Sequence, residues 1–136
     1  MPYHFEFNKS HRILISVAEG VFNDDEQRRI IADIRAHATA LGALAGIGDV
    51  SKVTEYAVSP EVMQQVAREA SPYSEGVPRY LVATSDIAFG MSRMYQLAAD
   101  KSRAGLKVVR SRDEALEELG ALGAEFERVS EFAPAL

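Results

Sequence analysis

The chain has 136 residues, 47% hydrophobic and 26% charged, which is the make-up of one folded domain with a single continuous core and too little length for two. Fifteen Lys and Arg against twenty Asp and Glu leave a net charge of −5, which argues against a non-specific grip on a nucleic-acid backbone. The absence of cysteine removes disulfides, thiolate metal sites and a cysteine nucleophile.

The first residues, Met1-Pro2-Tyr3-His4-Phe5-Glu6, carry no basic segment leading into an apolar run. The longest uncharged apolar stretch, residues 40–48, is far short of the roughly 20 residues that span a bilayer. The expectation is a cytoplasmic protein with no membrane span.

In chain order, Tyr3, Phe5 and Phe7 alternate with His4, Glu6 and Asn8 at the two-residue period of a half-buried strand. After the polar turn Lys9-Ser10-His11, the β-branched run 13–18 predicts a second strand that stops at Gly20, the two forming a hairpin. Asn23 with Glu26 three residues on matches a capping box, and Asp24 and Asp25 put negative charge at the positive end of a helix dipole. That helix runs to about Leu41, with Ile30, Ile31, Ile34, Ala38 and Leu41 on one face and Gly42 as its stop.

A third strand is expected over residues 44–50. Ser59-Pro60-Glu61 then reads as the N-cap and first turn of a second helix, with Val62, Met63, Val66, Ala67 and Ala70 inward and Ser71-Pro72 ending it. Residues 79–83 form a short strand, and Thr84-Ser85-Asp86 caps a third helix to about Lys101, its core stripe being Ile87, Met91, Met94 and Ala98. Residues 106–109 are the fifth strand. Ser111 and Glu114 form a second capping box, and Ala115, Leu116, Leu119 and Leu122 give the last helix its apolar side. The order ββαβαβαβα predicts one α/β domain over residues 1–136, with a mixed, mainly parallel five-stranded sheet covered by helices. Its C-terminal extension, 124–136, either prolongs the last helix or packs back, Gly120 and Gly123 allowing a break.

Few motifs carry chemistry. Gly46-x-Gly48 lacks the third glycine and the following helix of a dinucleotide fingerprint, and no Gly-Lys-Ser/Thr phosphate loop exists. Gly90-Met91-Ser92 opens like a nucleophile elbow, but Met94 stands where the second glycine belongs. His4, His11 and His37 are isolated and read as surface or edge histidines, not metal ligands. The acidic groups Asp24-Asp25-Glu26, Asp113-Glu114 and Glu117-Glu118 suit helix starts and a solvated face. No catalytic residue, metal site or cofactor is expected.

Two segments remain. Residues 49–60 form a polar loop leaving the C-terminal end of a parallel strand, where open α/β sheets place functional groups; Thr54, Tyr56 and Ser59 are its candidates, Ser59 also being readable as only a helix cap. Residues 86–95 offer Phe89, Met91 and Tyr95. Phe89 falls opposite the apolar stripe, so it meets either a neighbouring loop or a partner or ligand.

At Ile47-Gly48-Asp49-Val50-Ser51-Lys52-Val53, Phe89-Gly90-Met91-Ser92-Arg93-Met94-Tyr95 and Val108-Val109-Arg110-Ser111-Arg112-Asp113-Glu114-Ala115-Leu116, the sequence resembles the STAS family, the sulfate-transporter and anti-sigma-factor-antagonist domain, and more closely its bacterial SpoIIAA-like (STAS/SEC14-like) branch. The resemblance covers residues 12–120. It implies a small sheet with helices, no catalytic machinery, and a regulatory role exercised by binding another protein or a small ligand; Phe89, Met91 and Tyr95 could equally make a face for a second copy of the chain. In the antagonists a partner kinase phosphorylates the Ser of an Asp-Ser pair at a helix start. Read without gaps from Asp49, that pair falls here on Ala57-Val58, with Ser59 one position late and Pro60 where a Gly is usual. The lipid-transfer relatives imply the alternative, a carrier or sensor whose cleft of Phe89, Met91, Tyr95 and the loop near Tyr56 takes a small apolar, lipid-like ligand.

Overall fold

The structure, a computed structural model, describes residues 3–68, 73, 76–99 and 106–129. Strands β1 (Tyr3–Asn8) and β2 (Ile13–Asn23) form the opening hairpin, followed by α1 (Asp24–Leu41), β3 (Ala45–Ala57), α2 (Pro60–Arg68), β4 (Arg79–Val82), α3 (Asp86–Ala99), β5 (Leu106–Val109), α4 (Arg112–Glu118) and β6 (Glu127–Arg128). The sheet has the order β5-β4-β3-β2-β1-β6, parallel from β2 to β5 and antiparallel at β1 and β6. Among the described residues it therefore contains six strands where the hydrophobic pattern gave five. The sixth is only two residues long, too short for an alternation to be visible. The described part of the C-terminal extension packs back against β1 and does not prolong α4; residues 130–136 lie outside the described residues.

Because β2 to β5 are laid down side by side in chain order, their crossovers place α1, α2 and α3 on one face of the sheet. That face holds the larger core, built on Phe5, Leu14, Phe22, Ile31, Ile34, Met63 and Val66. The other face carries a smaller core of Ile15, Val17, Ile47, Val82 and Val109 under Ala115 and Leu116 of α4, and Leu119, Ala124 and Phe126 extend this cover as the chain crosses toward β1.

The helix ends follow from their capping residues. The Asn23 side chain accepts the Glu26 N–H at 2.9 Å while the Glu26 carboxylate accepts the Asn23 N–H at 3.0 Å, completing the box, and Gly42 closes the helix in the left-handed region at φ 64. Ser59 accepts the Val62 N–H at 3.2 Å as the cap of α2. At α4 the box is only half formed: Ser111 accepts the Glu114 N–H at 3.1 Å, but Glu114 turns to the N–H of Arg110.

Four expectations are corrected. The polar loop at 49–60 is strand as far as Ala57, and β2 likewise runs past Gly20 to Asn23. The register shifts between Val17 and Glu19 and between Gly20 and Val21, so β3 takes in an extra residue twice, and its inward side chains Val50, Val53 and Tyr56 recur every three residues instead of every two. On α3 the buried side chains are Ala88, Ser92 and Tyr95 with Met91 half-buried, whereas Ile87 (76% exposed) and Met94 (40%) face out; Ala98 and Lys101 lie outside the described side chains. This helix has apolar residues all round, so its pattern alone left the inward face undetermined, and burial of the large Tyr95 ring decides it. His37 is buried, stacked on Phe5 at 4.3 Å between ring centroids with Nδ1 against the Asp33 carbonyl. Leu122 is exposed because α4 ends at Glu118. The expected inward residue Ala70 and the Ser71-Pro72 stop lie outside the described residues.

Candidate functional site

The middle of the sheet presents unusually small side chains to the helix layer. Ser16 and Gly48 are register partners on β2 and β3, Ala18 follows on β2, and Gly46 precedes on β3. Large helices packed over such a floor cannot descend far enough to fill it, because the neighbouring strand residues Phe22, Leu14 and Leu81 hold them off. At Gly46 the space is taken by the ring of Tyr73, which lies directly on the glycine. At Gly48 the residue borders the hollow, but a Cβ there would stand only 3.0 Å from Leu81 Cδ2 and 3.7 Å from Ser16 Oγ, so Leu81 takes up part of the space.

The result is a cavity of ≈ 60 Å³ between the sheet and all three helices of that face. Ile30, Ile31 and Ile34 of α1, Met63 of α2 and Met91 and Tyr95 of α3 wall it. Phe22 and Tyr56, register partners whose rings meet edge to face at 6.1 Å, close the end formed by the extended β2–β3 ribbon. Burial pushes the Tyr56 phenol up to about 12, so it stays protonated at neutral pH.

Three of the six candidate residues, Tyr56, Met91 and Tyr95, thus line one cavity although they come from two segments 35 residues or more apart in sequence. The other three stay outside it. Thr54 is exposed on the ribbon. Ser59 is half-buried: its hydroxyl caps α2 and its N–H donates to Asp24 Oδ1 at 2.7 Å. A phosphate on that hydroxyl would sit beside the Asp24 carboxylate and displace the cap. Phe89 is half-buried against the larger core, and its outer side is covered by the guanidinium of Arg110, 3.9 Å from the ring centroid, itself held by Asp86 at 3.2 Å.

The polar part of the cavity wall includes Ser16, Gln27, Asp49, Ser92 and Arg79, each at least nine-tenths buried. Arg79 opens β4, between Gly46 of β3 and Leu106 of β5, and its guanidinium lies 5.4 Å from the Tyr73 ring centroid. Desolvation pulls the Arg79 pKa below its ordinary value and pushes the Tyr73 phenol up to about 12, each offset in part by the other. Arg79 Nη1 has no hydrogen-bond partner, the one buried side-chain nitrogen or oxygen so placed among the described residues.

A second polar cluster lies on the α4 face. Arg112 bridges Glu6 Oε1 at 3.1 Å and Asp49 Oδ2 at 3.0 Å, His4 Nε2 meets Glu6 Oε2 at 2.9 Å, and Asp49 Oδ1 accepts both the N–H and the hydroxyl of Ser51. Burial alone would raise the Glu6 pKa, but the His4 hydrogen bond and the Arg112 guanidinium outweigh it and hold the carboxyl below its usual range. Each charge here has an opposite neighbour, so the cluster ties the start of α4 to β1 and β3. Among the described residues no three His, Asp or Glu side chains converge in a way that could hold a metal ion, and no helix is long and apolar enough to cross a membrane.

The sequence matches no protein-family model and no curated protein.

The residues that reading the sequence missed are those of the floor and Arg79. A signal existed for the floor: Ser16, Ala18, Gly46 and Gly48 share a parity on two adjacent strands, so whichever face they occupy is hollow. Arg79 heads an apolar run of four residues and looks like a polar strand end. Only the pairing of β4 between β3 and β5 reveals that it is buried.

Proposed function

We propose that the protein is a non-catalytic, STAS-type binding module that senses or carries a small, largely apolar ligand in the cavity under α1, α2 and α3. The observation that carries this reading is the convergence of Tyr56, Met91 and Tyr95 on a single hollow over the small residues Ser16, Ala18 and Gly48. An adaptable lining of methionine and aromatic side chains with a few buried polar groups is the usual character of a ligand pocket. At ≈ 60 Å³ it suits a compact molecule, not a long acyl chain, since a single water takes about 10–15 Å³ by the same measure. A mixed sheet covered by helices is the general α/β architecture that the STAS resemblance implies.

Xenon tests the hollow directly, because it enters small apolar cavities without needing a polar partner. Under xenon pressure the amide resonances of Ser16, Gly48, Met91 and Tyr95 shift in the native chain, and in Ala18→Leu, whose side chain fills the floor, they do not. Shifts spread evenly over the surface, or absent altogether, would refute the reading.

The second reading is recognition of another protein or a second copy. It is favoured by the outer face of α3, where Ile87, Met94 and Leu97 are 76%, 40% and 67% exposed around Gly90, which has open space above it. Sedimentation velocity decides the self-association form of this reading: a dimer that Leu97→Asp converts to monomer supports it, and a monomer at all concentrations removes it.

A further inference from the structure

Arg79 carries a full positive charge that the described structure leaves uncompensated. Arg79 is 7% exposed, its Nη1 has no partner, and its guanidinium faces the ring of Tyr73. A guanidinium does not shed its proton, and a buried charge without a counter-ion is strongly unfavourable in a protein interior. Asp49 also lines the cavity, but its carboxylate is committed to Arg112 and Ser51. Among the described residues no ion pair involves Arg79.

We infer that the cavity binds a short-chain monocarboxylate, its carboxylate on Arg79 and its hydrocarbon end against Ile31, Ile34 and Met91. The inference rests on the ligand-binding reading above and names the chemistry of its ligand. Three observations select it. A neutral carbonyl could accept from Nη1 but would leave the buried positive charge uncompensated, so an anion is called for. One cation and mostly apolar walls fit a single charge on a hydrocarbon body and not a phosphate or sulfate, whose remaining oxygens would face Ile31 and Met91 unpaired. The volume admits roughly four to six non-hydrogen atoms, which corresponds to a chain of about two to four carbons. Ser16, Ser92 and Gln27 supply donors for carboxylate lone pairs that the guanidinium fork does not reach.

Propanoate and propanamide have the same shape and differ in charge, so the pair isolates the role of Arg79. Sodium propanoate titrated into the full chain at constant ionic strength, followed by amide shifts and by melting temperature, gives saturable shifts at Ser16, Gly48 and Ser92 and a rising melting temperature. Propanamide binds about tenfold more weakly or worse, the loss of a charge-assisted hydrogen bond in a dry site. Arg79→Met abolishes the preference between the two probes while melting at the same or a higher temperature without ligand, because it removes a buried unpaired charge. Arg79→Lys keeps the charge without the fork and retains part of the preference.

Equal affinity of the native chain for both probes overturns the carboxylate assignment and leaves the ligand-binding reading standing. No binding of acetate, propanoate, butanoate or propanamide overturns both. Propanoate preference surviving in Arg79→Met places the anion elsewhere and overturns the inference.

Discussion

The ring of Tyr73 lies on the α-carbon of Gly46, so close that a Cβ at residue 46 would overlap its Cζ and hydroxyl. The same ring faces the guanidinium of Arg79. The glycine therefore sets the position of the aromatic face on which the buried cation rests. Gly46→Ala forces the ring, a buried core member, to move, and the expected cost is about 1–3 kcal/mol, the range of overpacked cores. Urea unfolding measures it; a loss within about 0.5 kcal/mol would show that Tyr73 yields freely.

The capping box of α1 is complete and that of α4 is not, which predicts unequal sensitivity. Asn23→Ala removes an acceptor and strands the Glu26 N–H, for an expected loss of about 1 kcal/mol. The corresponding Ser111→Ala, at a seven-residue helix whose Glu114 is engaged by Arg110, should cost less. Equal losses in thermal melts of the two variants would contradict the distinction.

The orientation of α3 is tested by neighbours in sequence. Ile87 faces outward and Ala88 inward, so Ile87→Ser should change stability by no more than about 0.5 kcal/mol, whereas Ala88→Leu overpacks the contact with the sheet and should cost about 1–3 kcal/mol. The reverse ranking in urea midpoints would restore the stripe through Ile87, Met91 and Met94.

Glu6 gives a pH dependence with a defined sign. Its folded pKa lies below the ordinary value of 4.5, so the folded state holds fewer protons than the unfolded chain in that region. Its contribution is complete above the ordinary carboxylate pKa and is lost as the pH falls through the depressed folded value. Glu6→Gln should accordingly show a shallower fall of urea midpoint with acid below about pH 4.5 than the native chain. Parallel curves for the two would mean that the Arg112 bridge does not bias Glu6.

Much of the architecture was legible because local signals agreed with the tertiary result. Asn23 and Glu26 marked the start of α1 to the residue, Gly42 its end, and the apolar run at 106–109 the whole of β5. The second half of β3 was hidden by physics, not by weak signal: two bulges change its inward period from two to three, and a three-residue spacing of Val50, Val53 and Tyr56 does not look like a strand. For the site, Met91, Tyr95 and Tyr56 were accessible as adaptable apolar residues in suspect segments. Their meeting place was not, since it depends on the small side chains of Ser16, Ala18 and Gly48 coming together on the sheet and on a charge whose burial only the strand order determines.

The return of the chain to β1 has a bearing on how copies of the protein meet. Val129 donates its N–H to the Phe5 carbonyl at 2.8 Å, and Asn8 donates its side-chain amide to the Glu125 carbonyl at 2.7 Å. These contacts occupy part of the outer hydrogen-bonding row of an aromatic-rich strand that no other strand pairs at that edge among the described residues. The short β6 is thus a guard against strand addition. A chain cut before residue 125 would offer β1 as a template to its neighbours, and loss of solubility would precede any loss of the core fold.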